Sequence, residues 1–208
     1  MPELGLFPLS LVLVPTEQLP LHIFEPRYRE LIAECLETGG EFGLVLATGD
    51  GAVHEVGTRA RVMQVLETLE DGSSNIVIEG GDRFRLLELT SGRSFTTAEV
   101  EPVLDDDDPP DPADVARALQ LFTQLADEVD AEIELPDEDA AQLDFELAAL
   151  VDIGVDPKQE LLASTSPRER MKRLAELLGI ALEAVRLEKT VHARAGQNGK
   201  VAPLDPER

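Results

Sequence analysis

The stretch LPLHIFEPRYREL, residues 19–31, changes from the pattern of a β-strand to that of an α-helix. Leu19, Leu21 and Ile23 alternate along its first half, as the buried face of a strand does. Pro26 ends the alternation, and proline suits the first turn of a helix because it has no N–H group to satisfy. The stretch therefore predicts a corner at which a strand passes into a helix.

The predicted helix is amphipathic and ends at the glycine pair 39–40. We expect Glu25 and Arg27 to hold the corner. We also expect Tyr28 to close the edge of the core while its hydroxyl donates a hydrogen bond to a backbone carbonyl. The apolar residues recur every three or four positions, which places them on one face: Tyr28, Leu31, Ile32, Cys35 and Leu36.

Apart from this helix, residues 1–104 have the pattern of a β-rich unit. Residues 58–103 alternate repeatedly between apolar and polar, which is typical of a meander of antiparallel strands. We expect the strands to be separated at three pairs of turn-forming residues: Asp71-Gly72, Gly80-Gly81 and Ser91-Gly92.

The composition changes at residues 105–112, DDDDPPDP, where four adjacent carboxylates and three prolines favour a solvated linker. Residues 113–194 then carry four helical patterns, one of them over residues 137–153. The last helix is predicted to be long and to begin at Ser166 as its N-cap. Residues 195–208 have few apolar side chains and are predicted to be a flexible tail. The fold class is therefore α+β.

Acidic residues outnumber basic ones by 42 to 18, which gives a formal net charge of −24 over 208 residues. Such a charge repels phosphate groups, so we expect no nucleic-acid partner and no docking on an anionic membrane. One interpretation of the charge is general solubility. The other is an acidic face that attracts basic segments of a partner.

Three further features of the sequence indicate a cytoplasmic protein. Cys35 is the single cysteine, so no intramolecular disulfide can form, which is usual in a reducing compartment. The amino terminus lacks the basic region and cleavage site of a signal peptide. No apolar run reaches the roughly 20 residues of a membrane span.

The sequence contains no motif for intrinsic chemistry. Neither the phosphate-binding pattern G-x-x-x-x-G-K-[ST] nor the nucleophile pattern G-x-S-x-G occurs. His22, His54 and His192 are scattered along the chain, a spacing that does not favour zinc. Cys35 lies on the apolar face of its helix, where a buried thiol is expected. We expect no cofactor, no metal and no catalytic residue.

Taken together, several motifs resemble the opening of the Lon protease amino-terminal domain. That family has an L-F-P-L start, a later proline, an L-P-L strand and an F-E-x-R-Y corner. The matching positions are Leu6, Phe7, Pro8, Leu9, Pro15, Leu19, Pro20, Leu21, Phe24, Glu25, Arg27 and Tyr28. Residues 158–189 also resemble the helical end of the same region, so the resemblance covers about residues 4–190.

The resemblance implies a PUA-like β-rich subdomain followed by a helical bundle. In the full protease, this region helps to recognise substrates, while separate domains supply ATP hydrolysis and a Ser-Lys proteolytic dyad. We therefore expect a stand-alone, non-catalytic domain that binds unfolded or client polypeptides. The residues expected at a recognition groove or at the corner beside it are Phe7, Leu21, Phe24, Glu25, Arg27, Tyr28 and Phe42.

Four alternatives remain open from the sequence. The apolar candidates for the groove also suit the core. A second alternative is an ATP-independent peptidase or hydrolase. Such an enzyme requires a nucleophile and a base that folding brings together. A small-ligand pocket on the PUA-like half is a further possibility, and RNA is disfavoured there by the net charge. The long last helix also allows a homodimer.

Overall fold

Six β-strands and five α-helices form the part of the chain that the computed structural model describes, residues 3–49 and 51–198. The strands and α1 come first, and the other four helices follow, which is the predicted α+β order. The elements are β1 Glu3–Leu9, β2 Gln18–Ile23, α1 Pro26–Thr38, β3 Phe42–Leu46, β4 Val56–Thr68, β5 Ser74–Thr90, β6 Thr97–Pro102, α2 Pro112–Glu128, α3 Leu143–Ala149, α4 Val155–Ala163 and α5 Pro167–Asn198.

Five of the strands close into a barrel. The strand order is β2-β5-β4-β3-β1-β6, and β6 pairs in turn with β5, so the ring is complete. β1 and β3 run parallel, while the remaining pairs are antiparallel. Closure removes free edges from these five strands where they pair around the ring.

The strand β2 lies outside the ring, on an extension of the sheet. It pairs with residues 74–79 of β5, while the last part of β5 pairs with β6. Residues 62–68 of β4 lie on the other side of the same part of β5. We call these three segments, β2, residues 62–68 and residues 74–79, the hairpin extension. The turn that joins β4 to β5 is at Asp71-Gly72, as predicted, and Gly72 has a positive φ of 80°.

The predicted break at Gly80-Gly81 is wrong, because β5 runs through both glycines without interruption. Gly80 serves instead for close backbone contact. Its N–H group donates to the carbonyl of Glu17, and its own carbonyl accepts from Thr16. A Cβ atom at position 80 would lie 2.1 Å from the carbonyl oxygen of Val14. The glycine therefore reflects the packing of the β1–β2 connection on the barrel, which local pattern does not reveal.

The first hydrophobic core lies between α1 and the barrel. Four residues of α1 are buried there, namely Tyr28, Leu31, Ile32 and Cys35. They pack with strand residues that are almost completely buried: Phe7, Phe42, Leu44, Ile76 and Ile78. Burying each of the larger side chains stabilises the fold by about 1.5–3 kcal/mol, and together they fix α1 on the barrel.

A second core joins α2, α3 and α5, with Phe122, Leu147, Leu174 and Leu178 at most 1% exposed. The Ser166 hydroxyl accepts a hydrogen bond from the Glu169 N–H at 3.1 Å, so the predicted cap of α5 is confirmed. The stretch predicted as a flexible tail begins at residue 195, but α5 continues to Asn198. The rest of that stretch, from residue 199, lies outside the described residues and stays a prediction. No helix in the described ranges is both long and apolar enough to cross a membrane.

The helix predicted over residues 137–153 is shorter than expected, since α3 comprises only Leu143–Ala149. Aspartates stop it on both sides. Asp137 accepts a hydrogen bond from the Asp139 N–H, and Asp152 accepts one from the Gly154 N–H. Such local side-chain bonds compete with the helical hydrogen-bond pattern.

The acidic stretch 105–112 is not simply a solvated linker. Asp105 is paired with Arg83 of the barrel and with Arg170 of α5, whose Nη1 lies 2.6 Å from an Asp105 carboxylate oxygen. Asp108 accepts from the hydroxyl of Ser166 at 2.7 Å. The carboxylates therefore connect the two halves of the chain, and a composition-based interpretation misses them because their partners are distant in sequence.

Candidate functional site

Glu25 and Arg27 form an ion pair at the corner after β2. Arg27 Nη2 lies 2.7 Å from Glu25 Oε2, and both side chains are substantially exposed. The carbonyl of Glu25 accepts from the N–H groups of Tyr28 and Arg29, which begins the helix. An exposed pair of this kind contributes at most about 1 kcal/mol, so the corner depends chiefly on the backbone and on what packs beneath it.

Tyr28 packs beneath the corner through its ring. The ring stacks on Phe7 with the centroids 4.0 Å apart, and the Arg27 guanidinium lies 4.5 Å from the Tyr28 centroid on the solvent side. Burial raises the pKa of the Tyr28 hydroxyl. In the part of the chain that the structure describes, this hydroxyl has no hydrogen-bond partner, so the expected bond to a backbone carbonyl is wrong. Phe7 occupies the space beneath the ring, and the contact is aromatic instead.

The structure divides the seven predicted site residues into three groups. Phe7, Tyr28 and Phe42 are core residues, since each is at most 6% exposed. Their contact with a bound peptide stays a prediction, and in this structure the packing of α1 on the barrel buries all three. Glu25 and Arg27 hold the corner. Leu21 is half-buried and Phe24 is 62% exposed, and both belong to the surface beside the hairpin extension.

A depression of about 640 Å³ lies on the hairpin extension. The Phe24 ring stacks on the His22 ring at 5.8 Å and so extends the apolar margin. His22 Nδ1 lies 2.8 Å from Asn75 Oδ1, which fixes the imidazole on the sheet. The residues that line this surface, named the hairpin depression, are Pro20, Leu21, His22, Leu66, Glu67, Asn75 and Ile76.

The end of β4 beside this depression carries apolar side chains in solvent. Met63 is 46% exposed, Val65 39%, Leu66 54% and Leu69 38%. Large apolar side chains close together on a surface mark interaction sites more often than chance. Our sequence interpretation missed these residues. The available signal was the loss of strict alternation, because apolar residues are adjacent at 62–63 and at 65–66.

Two register shifts explain this exposure. The pairing of β4 with β5 is irregular between Val62 and Gln64 and again between Val65 and Glu67. Each shift inserts an extra residue into β4, namely Met63 or Leu66. An extra residue in a strand is a β-bulge, which twists the strand and redirects side chains. The bulges therefore turn apolar groups away from the core.

The hairpin extension also has free strand edges. Within the described ranges, β2 pairs only with β5, and residues 62–68 of β4 pair only with β5. Pro20 lies in β2, where proline is tolerated because an edge strand has N–H positions without a partner strand. The free backbone groups and the apolar side chains are thus adjacent on one surface.

The other chemistry considered from the sequence has little support in the structure. Burial raises the pKa of Cys35 to about 11, so its thiol is protonated near neutral pH and is a poor nucleophile. Among the described residues, no group of three or more histidine, cysteine, aspartate or glutamate side chains is placed to hold a metal ion. The described site thus offers binding groups and no nucleophile–base pair.

Residues 3–179 match the model of one protein family, the ATP-dependent protease La (LON) substrate-binding domain. The chain belongs to this family. The family identified by resemblance is therefore confirmed. The LON substrate-binding domain accounts for the β-rich half and for most of the helical half, because the match reaches well into α5.

Similar proteins are Lon proteases. The chain is 30% identical over 199 residues to the Lon protease of Anaeromyxobacter dehalogenans, covering 86% of this chain and 23% of the relative. It is 27% identical over 201 residues to the Lon protease of Paraburkholderia phytofirmans, covering 86% and 24%. The chain thus spans about a quarter of the length of these curated relatives.

Solved structures confirm the fold. The Lon N-terminal domain protein from Xanthomonas campestris is 28% identical and aligns with a TM-score of 0.68, covering 84% of this chain and 97% of that one. The N-terminal domain of Mycobacterium avium complex Lon protease aligns with a TM-score of 0.57, covering 86% and 98%. At 15% identity the second comparison supports the fold alone. The α+β class is therefore confirmed.

Proposed function

We propose that this protein binds unfolded or client polypeptides at the hairpin depression and does not cleave them. The observation that carries the proposal is the exposure of Met63, Val65, Leu66 and Phe24 beside free strand edges. The family is described as substrate-binding, and its members among the relatives are proteases. The part of the chain that matches the family, residues 3–179, is the part described as substrate-binding, and this supports recognition.

An extended peptide fits this surface by adding a strand. Its backbone would pair with the free edge of residues 62–68, and alternate side chains would enter the depression of about 640 Å³. Backbone pairing gives affinity that depends little on sequence. The apolar groups that line the depression, such as Leu21 and Leu66, favour apolar side chains in the bound segment.

The charge of the protein adds a preference among polypeptides. Glu67 lines the depression and accepts from the Asn75 side chain at 3.4 Å, so its carboxylate is held at the surface. With a formal net charge of −24, the protein attracts segments that carry basic residues beside their apolar ones. Salt screens this attraction, with a Debye length of about 10 Å at 0.1 M.

The test is fluorescence anisotropy of a labelled unfolded polypeptide titrated with the purified protein. Leu66→Ser is expected to weaken binding about tenfold, because it removes an exposed apolar contact without disturbing the core. Leu89→Ser is the matched control, since Leu89 is 53% exposed against 54% for Leu66 and belongs to the part of β5 paired with β6. Equal affinities for the two variants would contradict the proposed surface.

Absence of catalysis is a separate part of the proposal. Incubation with a casein-type substrate and no nucleotide is expected to give no new fragments relative to a heat-treated sample. Fragments that appear in proportion to the concentration of native protein would favour the alternative of an ATP-independent peptidase. The same incubation with a chromogenic ester tests for a small hydrolase.

The remaining features of the proposal concern location and assembly. We place the protein in the cytoplasm, without nucleic-acid or membrane partners, because it is acidic and has a single buried cysteine.

A homodimer through α5 is supported by exposed apolar residues on that helix, namely Ile180 at 60%, Leu187 at 65% and Val191 at 56%. Light scattering after gel filtration tests it, and Leu187→Glu is expected to give a monomer. A wild-type monomer at high concentration would contradict it.

A further inference from the structure

A second concave surface lies at the opposite end of β4 from the hairpin depression. It has a volume of about 580 Å³ and lies between Val56, at the start of β4, and helix α4. This volume is within the range of sites that hold small ligands, about 300–1,000 Å³. Val56 and Leu66 are ten residues apart on one strand, which corresponds to at most about 33 Å because the strand is bulged between them. We call this surface the α4 cavity.

The side chain of Gln159 lines the α4 cavity and is only partly satisfied. The residue is 6% exposed, and its Nε2 donates to the carbonyl of Val56 at 3.0 Å. This bond fixes the orientation of the amide. If the amide were rotated by 180°, Oε1 would face the carbonyl oxygen of Val56, and both atoms are acceptors. Among the residues that the structure describes, the buried Oε1 atom has no hydrogen-bond partner. A buried acceptor without a donor is costly, so Oε1 requires one.

The wall of the α4 cavity consists largely of acceptors. Glu55, Asp156 and Glu160 contribute carboxylates, while Arg85 contributes the single guanidinium. An ionised carboxylate accepts hydrogen bonds and donates none. The cavity therefore presents three carboxylates and the neutral acceptor of Gln159, together with the Arg85 guanidinium and the His54 imidazole.

The cations nearby do not neutralise this wall. Arg85 lies between Glu55 at 3.6 Å and Glu101 at 3.8 Å, so it is already shared by two carboxylates. Arg173 pairs with Glu160 at 3.2 Å. Within the described part of the chain, Asp156 has no ion pair. A net negative charge thus remains beside the unpaired oxygen of Gln159.

We propose that the α4 cavity binds a guanidinium group. A guanidinium carries a delocalised positive charge and five N–H donors in one plane, so it can serve Gln159 Oε1 and carboxylates in different directions at once. A metal ion fits less well, because the acidic groups do not converge closely enough in the described residues to share one. An ammonium group presents three donors from a single point and cannot span the wall in the same way.

Two sources carry this group, a free small molecule and an arginine side chain of a bound polypeptide. The first experiment is isothermal titration with L-arginine amide at low salt, compared with L-citrulline amide, whose urea group has a similar shape and no charge. The second uses a Gly-Ser peptide with one central arginine and its citrulline counterpart. Binding in the first arm indicates a free ligand, and binding restricted to the second indicates a polypeptide.

The variant that tests the site is Asp156→Asn with Glu160→Gln, which keeps the shapes of both side chains. It is expected to weaken the binding of the arginine ligand at least fivefold. The matched control is Glu183→Gln with Glu188→Gln, which makes the same change of net charge on exposed positions of α5. Loss of affinity in the first variant alone supports the site. Equal losses in the two variants, or binding of citrulline as tight as that of arginine, would overturn it.

Two further variants separate this site from the proposed function. Gln159→Met removes the unpaired oxygen and keeps the length of the side chain, and it is expected to weaken arginine binding while circular dichroism shows the native fold. Leu66→Ser is expected to leave arginine binding unchanged, because it lies on the hairpin depression. Failure to bind either arginine ligand would refute the α4 site while leaving the polypeptide site intact.

Discussion

Arg170 Nε lies 2.7 Å from Asp144 Oδ2, and the two side chains are only 2% and 7% exposed. The pair joins α5 to α3, and it is not isolated. The same arginine also bonds Asp105 of the acidic stretch, and Asp105 in turn bonds Arg83 of the barrel. The ring of Phe145 lies 4.5 Å from the Arg170 guanidinium. Charges of opposite sign, buried at Arg83, Asp144 and Arg170 and partly exposed at Asp105, therefore connect the barrel, the acidic stretch and the helical half.

We expect Asp144→Ala to lower the free energy of unfolding by about 3–5 kcal/mol. The substitution removes the more deeply buried of the two carboxylates that pair with Arg170, so the buried guanidinium keeps only Asp105 as its counter-ion, and a partly compensated buried charge is costly. Asp107→Ala, at an exposed position of the acidic stretch, is the control and is expected to change stability by less than about 0.5 kcal/mol. Urea unfolding followed by circular dichroism measures both. Similar losses would show that the cluster is not a source of stability.

The cluster also predicts how stability depends on pH. Burial alone would raise the pKa of Asp105, but hydrogen bonds and charges from Arg170 and Arg83 outweigh burial and lower it. The folded state then binds the proton more weakly than the unfolded state, so the contribution of Asp105 is present above its ordinary pKa and is lost as pH falls through the lowered value. Asp144 is a poorer choice for this test, because burial raises its pKa and gives the opposite sign.

Thermal melting of wild type and Asp105→Asn between pH 7 and pH 3 tests this reasoning. The wild type is expected to have the higher Tm at neutral pH. The difference is expected to narrow below about pH 4, where protonation of Asp105 makes the two proteins alike. A difference that stays constant across the range would mean that the charge of Asp105 does not contribute to stability.

Gly80→Ala is expected to destabilise the protein by at least about 2 kcal/mol, because the new methyl group would overlap the carbonyl oxygen of Val14. Backbone on both sides of the contact is fixed by hydrogen bonds, so neither can move freely. Gly49→Ala is the control, since a Cβ there meets nothing within 4 Å. Chemical denaturation compares the two, and equal stabilities would show that the β1–β2 connection adapts to the methyl group.

Tyr28 provides a test of ring against hydroxyl. Tyr28→Phe is expected to change the free energy of unfolding by less than about 0.5 kcal/mol, since the hydroxyl makes no hydrogen bond within the described residues. Tyr28→Ala is expected to cost about 3–5 kcal/mol, because it removes the stack on Phe7 and leaves a cavity. A large loss of stability in Tyr28→Phe would indicate that the hydroxyl does make the hydrogen bond predicted from the sequence. If Tyr28→Ala is stable but no longer binds polypeptide, Tyr28 belongs to the binding site.

Local pattern was sufficient for the elements that depend on neighbours in sequence. The corner at Pro26, the turn at Asp71-Gly72 and the cap at Ser166 each follow from interactions within a few residues, and the structure has all three. The family resemblance extended these local predictions to the order of strands and helices along the whole chain. Fold class and family were therefore accessible before any coordinates.

Features that depend on distant residues were not accessible in this way. The pair Gly80-Gly81 is typical of a turn in sequence. Glycine is needed at position 80 because the backbone of Val14 lies against it, and this contact is not visible in the local sequence. Phe7 and Phe42 suit a groove as well as a core, and only the packing of α1 on the barrel decides for the core. Asp105 bonds Arg170, which is 65 residues away in sequence. In each case the missing information was which parts of the chain meet.

Closure of the barrel also has a kinetic consequence. The ring is complete only when Glu3 pairs with Glu99, so nearly half of the chain must be ordered into one loop before the last seam forms. Contacts between residues so far apart carry a large entropic cost during folding and slow it. During synthesis on the ribosome, β1 has no antiparallel partner until β6 has left the exit tunnel. During that interval the protein itself presents unpaired strands of the kind that it is proposed to recognise.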